Sequence, residues 1–156
     1  MTAQKLHPRG SFVVFSCILT IAGCGSSTAQ RHRAASAPTA PVIREEFAVL
    51  PCPNGKGRGT TIGMEGCAEQ AILRSDRRIN QTASVVFRLL RSDAARRRFV
   101  TAEQAWLHYR KAHCRSVSDR FLGGSFAPVA SAECAVEINR QHLKDLQNFG
   151  RELRNR

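Results

Sequence analysis

The sequence predicts an all-α domain: an antiparallel bundle of three long helices with a disulfide-stapled N-terminal loop. Three observations predict it. Apolar residues recur at steps of three and four along three successive stretches. Ser92-Asp93 and Gly123-Gly124-Ser125 punctuate those stretches where one helix should stop and the next begin. No segment of useful length alternates apolar and polar residues as a half-buried strand would.

The chain of 156 residues has room for one such domain, and its beginning reads as an address. Lys5 and Arg9 form a basic start, and Phe12 to Ile21 is a short apolar run. A bilayer-spanning helix needs about 20 apolar residues, so the run suits a signal peptide over residues 1–23 instead. Leu19-Thr20-Ile21-Ala22-Gly23-Cys24 places small residues directly before a cysteine. This ending resembles the lipobox of bacterial lipoproteins, which implies lipidation of Cys24 and membrane attachment through that lipid. Gly25 follows, and by resemblance to lipoprotein sorting this implies the outer membrane, facing the periplasm, in a host with two membranes.

Residues 24–44 contain Ser26-Ser27, Pro38 and Pro41 with no apolar periodicity. They are expected to be a flexible tether, with the folded domain spanning 45–156. Beyond Cys24 the cysteines are Cys52, Cys67, Cys114 and Cys134. In an exported chain, four cysteines suggest two disulfides. Of the three pairings, Cys52–Cys67 with Cys114–Cys134 is preferred because each closes a short local loop.

From Glu45 to Gly66, Pro51, Pro53, Gly55, Gly57 and Gly59 break any regular element. The basic glycine loop from Gly55 to Thr61 does not meet the phosphate-loop spacing, and no strand precedes it. The first helix is expected from about Glu65 to Arg91, with Ala68, Ile72, Ser75, Ile79, Thr82, Val86 and Leu89 on one stripe. The second runs from about Asp93 to Phe121 and holds the chain's one Trp and one Tyr. Its stripe reads Phe99, Ala102, Trp106, Tyr109 and His113, which places Trp106 and Tyr109 in the core and makes this the central helix. Gly123-Gly124 ends it, and Ser125 is expected to cap the third helix, where Pro128 fits the first turn. The third helix has the cleanest period: Val129, Ala132, Val136, Asn139, Leu143, Leu146, Gly150 and Leu153.

The set Trp106-Leu107-x-Tyr109-Arg110-x-x-x-Cys114, then Gly123-Gly124-Ser125, then Cys134 and Arg140, resembles the signature of the LprI-like family. These are small secreted or lipid-anchored bacterial proteins named for a lysozyme inhibitor, and the resemblance runs from about residue 52 to about 146. Asp76-x-x-Ile79-Asn80 is a near match to a further family pattern, Asp-x-x-Leu-Asn. The chain departs from the pattern at Glu103, where Gln is usual, and at Lys111 and His113, where acids often stand. The resemblance implies an envelope lipoprotein that binds lysozyme and occludes its cleft without chemistry of its own. The Gly123-Gly124-Ser125 turn, narrow and braced by a nearby disulfide, is the natural partner-binding candidate.

The residues themselves show no catalytic or metal-binding pattern. His113, Cys114, Cys134 and His142 lack the close ligand pairs of zinc sites. Ser125 lacks the flanking glycines and strand of a nucleophile elbow. No cofactor is expected. His113 should be partly buried, His108 and His142 exposed. Arg110 is expected either to pair with Glu133 or Glu137 of the next helix, the favoured role, or to face a partner.

Charge supplies a second reading. The chain has 24 Lys and Arg against 12 Asp and Glu, and residues 1–24 hold two of the basic ones, leaving +10 beyond them. Such a chain favours anionic surfaces. Because the export signal argues against nucleic acid, the alternative is a non-catalytic basic module that binds anionic envelope polymers or a partner protein.

Overall fold

A computed structural model describes residues 36–45, 47 and 49–156. The expected signal peptide, Cys24 and the first part of the tether lie outside these residues. A short 3-10 turn at Gly55–Gly59 leads into three helices: α1 (Thr61–Leu89), α2 (Asp93–Asp119) and α3 (Ala127–Arg154). None of the described residues is in a strand. None of the helices is long and apolar enough to cross a membrane.

Local chemistry sets the ends. The Thr60 hydroxyl accepts a hydrogen bond from the Gly63 amide at 3.1 Å and caps α1 four residues earlier than expected. Ser92 caps α2 through the Ala95 amide at 3.2 Å. The expected Ser125 cap on α3 does not form. Phe126 takes the cap position in a helical conformation, without a side-chain cap bond. The Ala127 amide instead bonds the Gly124 carbonyl at 2.9 Å, and Ser125 is exposed.

Contacts fix an up-down-up arrangement. Ser75 meets Asn139 and Val86 meets Gly150, so α1 and α3 run parallel in a constant register of 64 residues. Phe99 meets Phe149 and Cys114 bonds Cys134, so α2 runs antiparallel to α3. The central helix is α3, not α2: it packs closely on α1 and also on α2, whereas α1 and α2 barely approach each other. The core divides into two apolar clusters. Ile79, Ala83, Val86, Leu90, Phe99, Leu143 and Leu146 fill one end. Ala68, Ile72 and Ala132 form the smaller one nearer the disulfides.

What separates α1 from α2 is a strap of chain, described at residues 41–45, 47, 49 and 50. The Asn80 side chain clasps the Ile43 backbone twice, accepting from its amide at 2.8 Å and donating to its carbonyl at 3.0 Å. Seven residues on, Glu69 accepts from the Leu50 amide at 2.7 Å while Gln70 donates to the Leu50 carbonyl at 3.4 Å. Between the clasps, Ile43, Glu45 and Phe47 are half-buried while Val42, Arg44 and Val49 are exposed. This alternation is what extended backbone imposes. Ile43 packs on the larger cluster and Phe47 on the smaller. Ile43, which falls within the expected tether, is part of this packed body.

Cys52 is bonded to Cys67 and Cys114 to Cys134. The first bond pins the strap where it meets α1. Gly66 permits this approach: a Cβ there would lie 2.3 Å from the Pro51 carbonyl oxygen.

Candidate functional site

The two apolar clusters are separated by a polar layer contributed by all three helices and the strap. Arg110 of α2, only 2 % exposed, sits at its centre. Its Nη1 donates to Asp76 of α1 and to Asn139 of α3, each at 2.7 Å. Its Nη2 donates to Glu45 of the strap. Asn139 in turn donates to the Asp76 carboxylate at 2.8 Å and to the Ser75 hydroxyl at 2.7 Å. One guanidinium thus ties together four segments that would otherwise associate only through apolar packing. Burial pushes the Asp76 carboxyl up to about 6, against the opposing pull of the Asn139 amide and Lys111. Burial also pulls Arg110 down to about 10.

A stack continues from this layer. The Arg110 guanidinium lies over the Trp106 ring at 5.3 Å. Trp106 stacks on His142 of α3 with ring centroids 3.8 Å apart and an interplanar angle of 11°. His142 Nε2 meets the buried Glu103 carboxylate at 2.9 Å. Asp76 Oδ2 is buried without a hydrogen-bond partner, but the bonds above join the side chains of the layer to one another across the segments, so the layer is built for register and rigidity.

The expected stripe on α2 is therefore displaced. Its buried face is Phe99, Glu103, Arg110 and Cys114, with Trp106 half-buried. Tyr109, placed in the core by the sequence, is 54 % exposed and lies against His113, which is exposed as well. His142, expected at the surface, is the half-buried partner of Trp106. Arg110 has an internal role, but its acids are Asp76 and Glu45. Glu137 instead makes an exposed pair with Arg140 at 2.7 Å. That pair lines a groove between α3 and the start of α1, with Arg58, Met64 and Ala71. So of the signature residues Trp106, Tyr109, Arg110 and Arg140, the structure brings only Trp106 and Arg110 together.

Sequence reasoning missed the partners Glu45, Asp76, Glu103, Asn139 and His142. Two signals pointed at them. Asp76 and Asn80 stand in the near match to the family pattern, and Asn139 interrupts an otherwise apolar stripe. In the structure Asp76 neutralises Arg110 and Asn80 clasps the strap, which gives both positions a physical reason.

The second candidate surface is the α2–α3 turn. Gly123, Gly124 and Ser125 are exposed. The Gly124 amide bonds the Phe121 carbonyl at 2.8 Å, and Gly123 has φ +74°, which glycine adopts without strain. Beneath the turn Phe121 packs on Phe126 at 5.1 Å, and the Cys114–Cys134 bond joins the two helices. Leu122, not singled out in the sequence, stands at its tip, 95 % exposed with φ +47°.

A family model described as Lysozyme inhibitor LprI matches residues 52–146. No curated protein and no solved structure shows a significant match to the chain. The match takes in all three helices' contributions to the polar layer, both disulfides and the turn, and leaves out the strap, the residues before it and the last part of α3. The chain belongs to the lysozyme inhibitor LprI family.

Proposed function

We propose that this protein is an exported inhibitor, held to the cell envelope by a lipid on Cys24, that binds lysozyme and blocks its cleft. The observation that carries the reading is the family match over residues 52–146. The Gly123-Gly124-Ser125 turn is the contacting surface. The Cys114–Cys134 bond and the Phe121–Phe126 packing beneath it make it a preformed element, so binding costs little ordering entropy. Two disulfides also fit an oxidising compartment outside the cytoplasm. Inhibition here is occlusion: the bound bundle excludes the polysaccharide and transforms nothing.

The test is lysis of cell walls by lysozyme, with the oxidised protein added in increasing ratio, against basic and acidic lysozymes. Saturable inhibition near equal stoichiometry is expected. Unimpeded lysis at excess protein with every lysozyme overturns the reading.

One observation favours a second reading, a basic module for anionic envelope polymers. Along α1, Arg74, Arg77, Arg78 and Arg88 are exposed while Asp76, the acid among them, is buried. Retention on anionic polymer that disappears within a few hundred millimolar salt would support it, since attraction between exposed charges is screened.

A further inference from the structure

We infer that Leu122 is the anchor of the lysozyme contact, and that Lys111 and Arg115 beside the turn face the catalytic carboxylates of the lysozyme cleft. The inference rests on the inhibitor reading and deepens it, naming the groups that meet the enzyme.

Leu122 carries two costs in the free protein. It exposes 95 % of its surface, more than any other large apolar side chain described. It is also the one non-glycine residue with a positive φ among those described, a conformation that clashes with a side chain's Cβ. Gly123 next to it also has a positive φ, +74°, but as a glycine it carries no such penalty. A fully exposed, strained leucine on a braced turn is an arrangement that folding does not require. Binding would use it, because a rigid apolar tip fills a pocket with little lost entropy.

Charge identifies the pocket. Lys111, Arg115, Ser118 and the Gly123–Ser125 turn line one shallow cleft of about 690 Å³. No carboxylate lines it; Asp119, the acid of this helix end, stands outside the lining. In charge, an anionic partner surface is the complement, and the protruding Leu122 tip asks for a recess beside it. A lysozyme cleft is such a partner, since glycoside hydrolysis uses two carboxylates flanking the scissile bond. This local match also resolves a conflict of net charge. Two basic proteins repel at long range, which slows encounter, while the groups that meet at contact govern dissociation.

The test measures inhibition of wall lysis by a c-type lysozyme for the wild-type protein, Leu122→Gly and the double variant Lys111→Glu/Arg115→Glu, with the unfolding temperature of each. Leu122→Gly is expected to lose about tenfold or more in inhibition while its unfolding temperature stays level or rises, because glycine relieves the left-handed backbone. A merely structural Leu122 would not separate these readouts. The double variant is expected to lose a similar factor in affinity by calorimetry. That loss should shrink when both catalytic carboxylates of the lysozyme are replaced by amides. Wild-type protein that does not inhibit overturns the proposed function and this inference with it. Wild-type protein that inhibits, with variants that match it within about twofold, overturns this inference alone. Variants that inhibit fully but lose retention on anionic polymer assign the turn to that polymer and overturn it too.

Discussion

The α1–α3 seam and the α1–α2 gap are built from the same helix α1, yet they are held by opposite chemistry. Along the seam, Ile79, Val86, Val129, Leu143 and Leu146 bury apolar surface with less than 9 % exposure each. The helices are parallel and stay in one register throughout. Across the gap the two helices barely approach each other, and the strap fills the space, held by Asn80, Glu69, Gln70 and Arg110. The seam gains from non-directional burial, which tolerates a small slip. The gap depends on directional bonds to a buried charge, which tolerate almost none. The polar layer therefore specifies which arrangement forms, and the apolar clusters supply the stability of that arrangement.

The largest expected effect tests this division at its centre. Arg110→Ala leaves the carboxylates of Asp76 and Glu45 without their cation and should cost about 3–5 kcal/mol, read as a fall in the urea midpoint. Arg110→Lys should recover only part, because an ammonium cannot bridge Asp76, Asn139 and Glu45 with the guanidinium's fork. A loss under about 1 kcal/mol for the alanine variant would mean the layer is solvated, and the contrast with the seam would collapse.

A smaller effect is expected from Asn80→Ala, about 1–2 kcal/mol for the two lost backbone bonds. Its signature should be local. Hydrogen exchange should accelerate at Ile43 and its neighbours in the strap, while amides of α1 and α3 along the seam keep their protection. Uniform acceleration would show that strap and seam form one cooperative unit.

The smallest effect belongs to the seam. Ile79 is 1 % exposed, and Ile79→Val removes one methyl group. It should cost about 1 kcal/mol in the same urea titration, with the strap amides unaffected. A cost matching that of Arg110→Ala would place Ile79 inside a joint it has not been seen to make.

The three helices and the punctuation between them were legible because each depends on neighbours close in sequence. The stripe on α3 was read residue by residue, and Ser92 was read as a cap. The buried face of α2 was not legible. Tyr109 looked like core because aromatic residues usually are, and Arg110 was expected to pair internally, but with Glu133 or Glu137 of the next helix. The structure turns Tyr109 outward and gives Arg110 other partners, since an arginine can be buried where Asp76, Asn139 and Glu45 converge on it. The strap was missed for a related reason. Its Ser- and Pro-containing approach reads as a linker, and nothing near Ile43 in sequence reveals that Asn80 waits for its backbone.

By itself, then, the sequence determined the helical class, the three helices, the short disulfide loops and the resemblance to an inhibitor family. These rest on periodicity, capping chemistry and residue spacing, all of which act over a turn or a short loop. The tertiary structure alone decided that α3 is central, that the strap holds α1 and α2 apart, and that Arg110 pairs with Asp76 and Glu45 while Tyr109 faces out. A buried charge is stable only where distant segments deliver its partners, and Glu45, Asp76 and Asn139 reach Arg110 from 65, 34 and 29 residues away. No local pattern encodes that meeting.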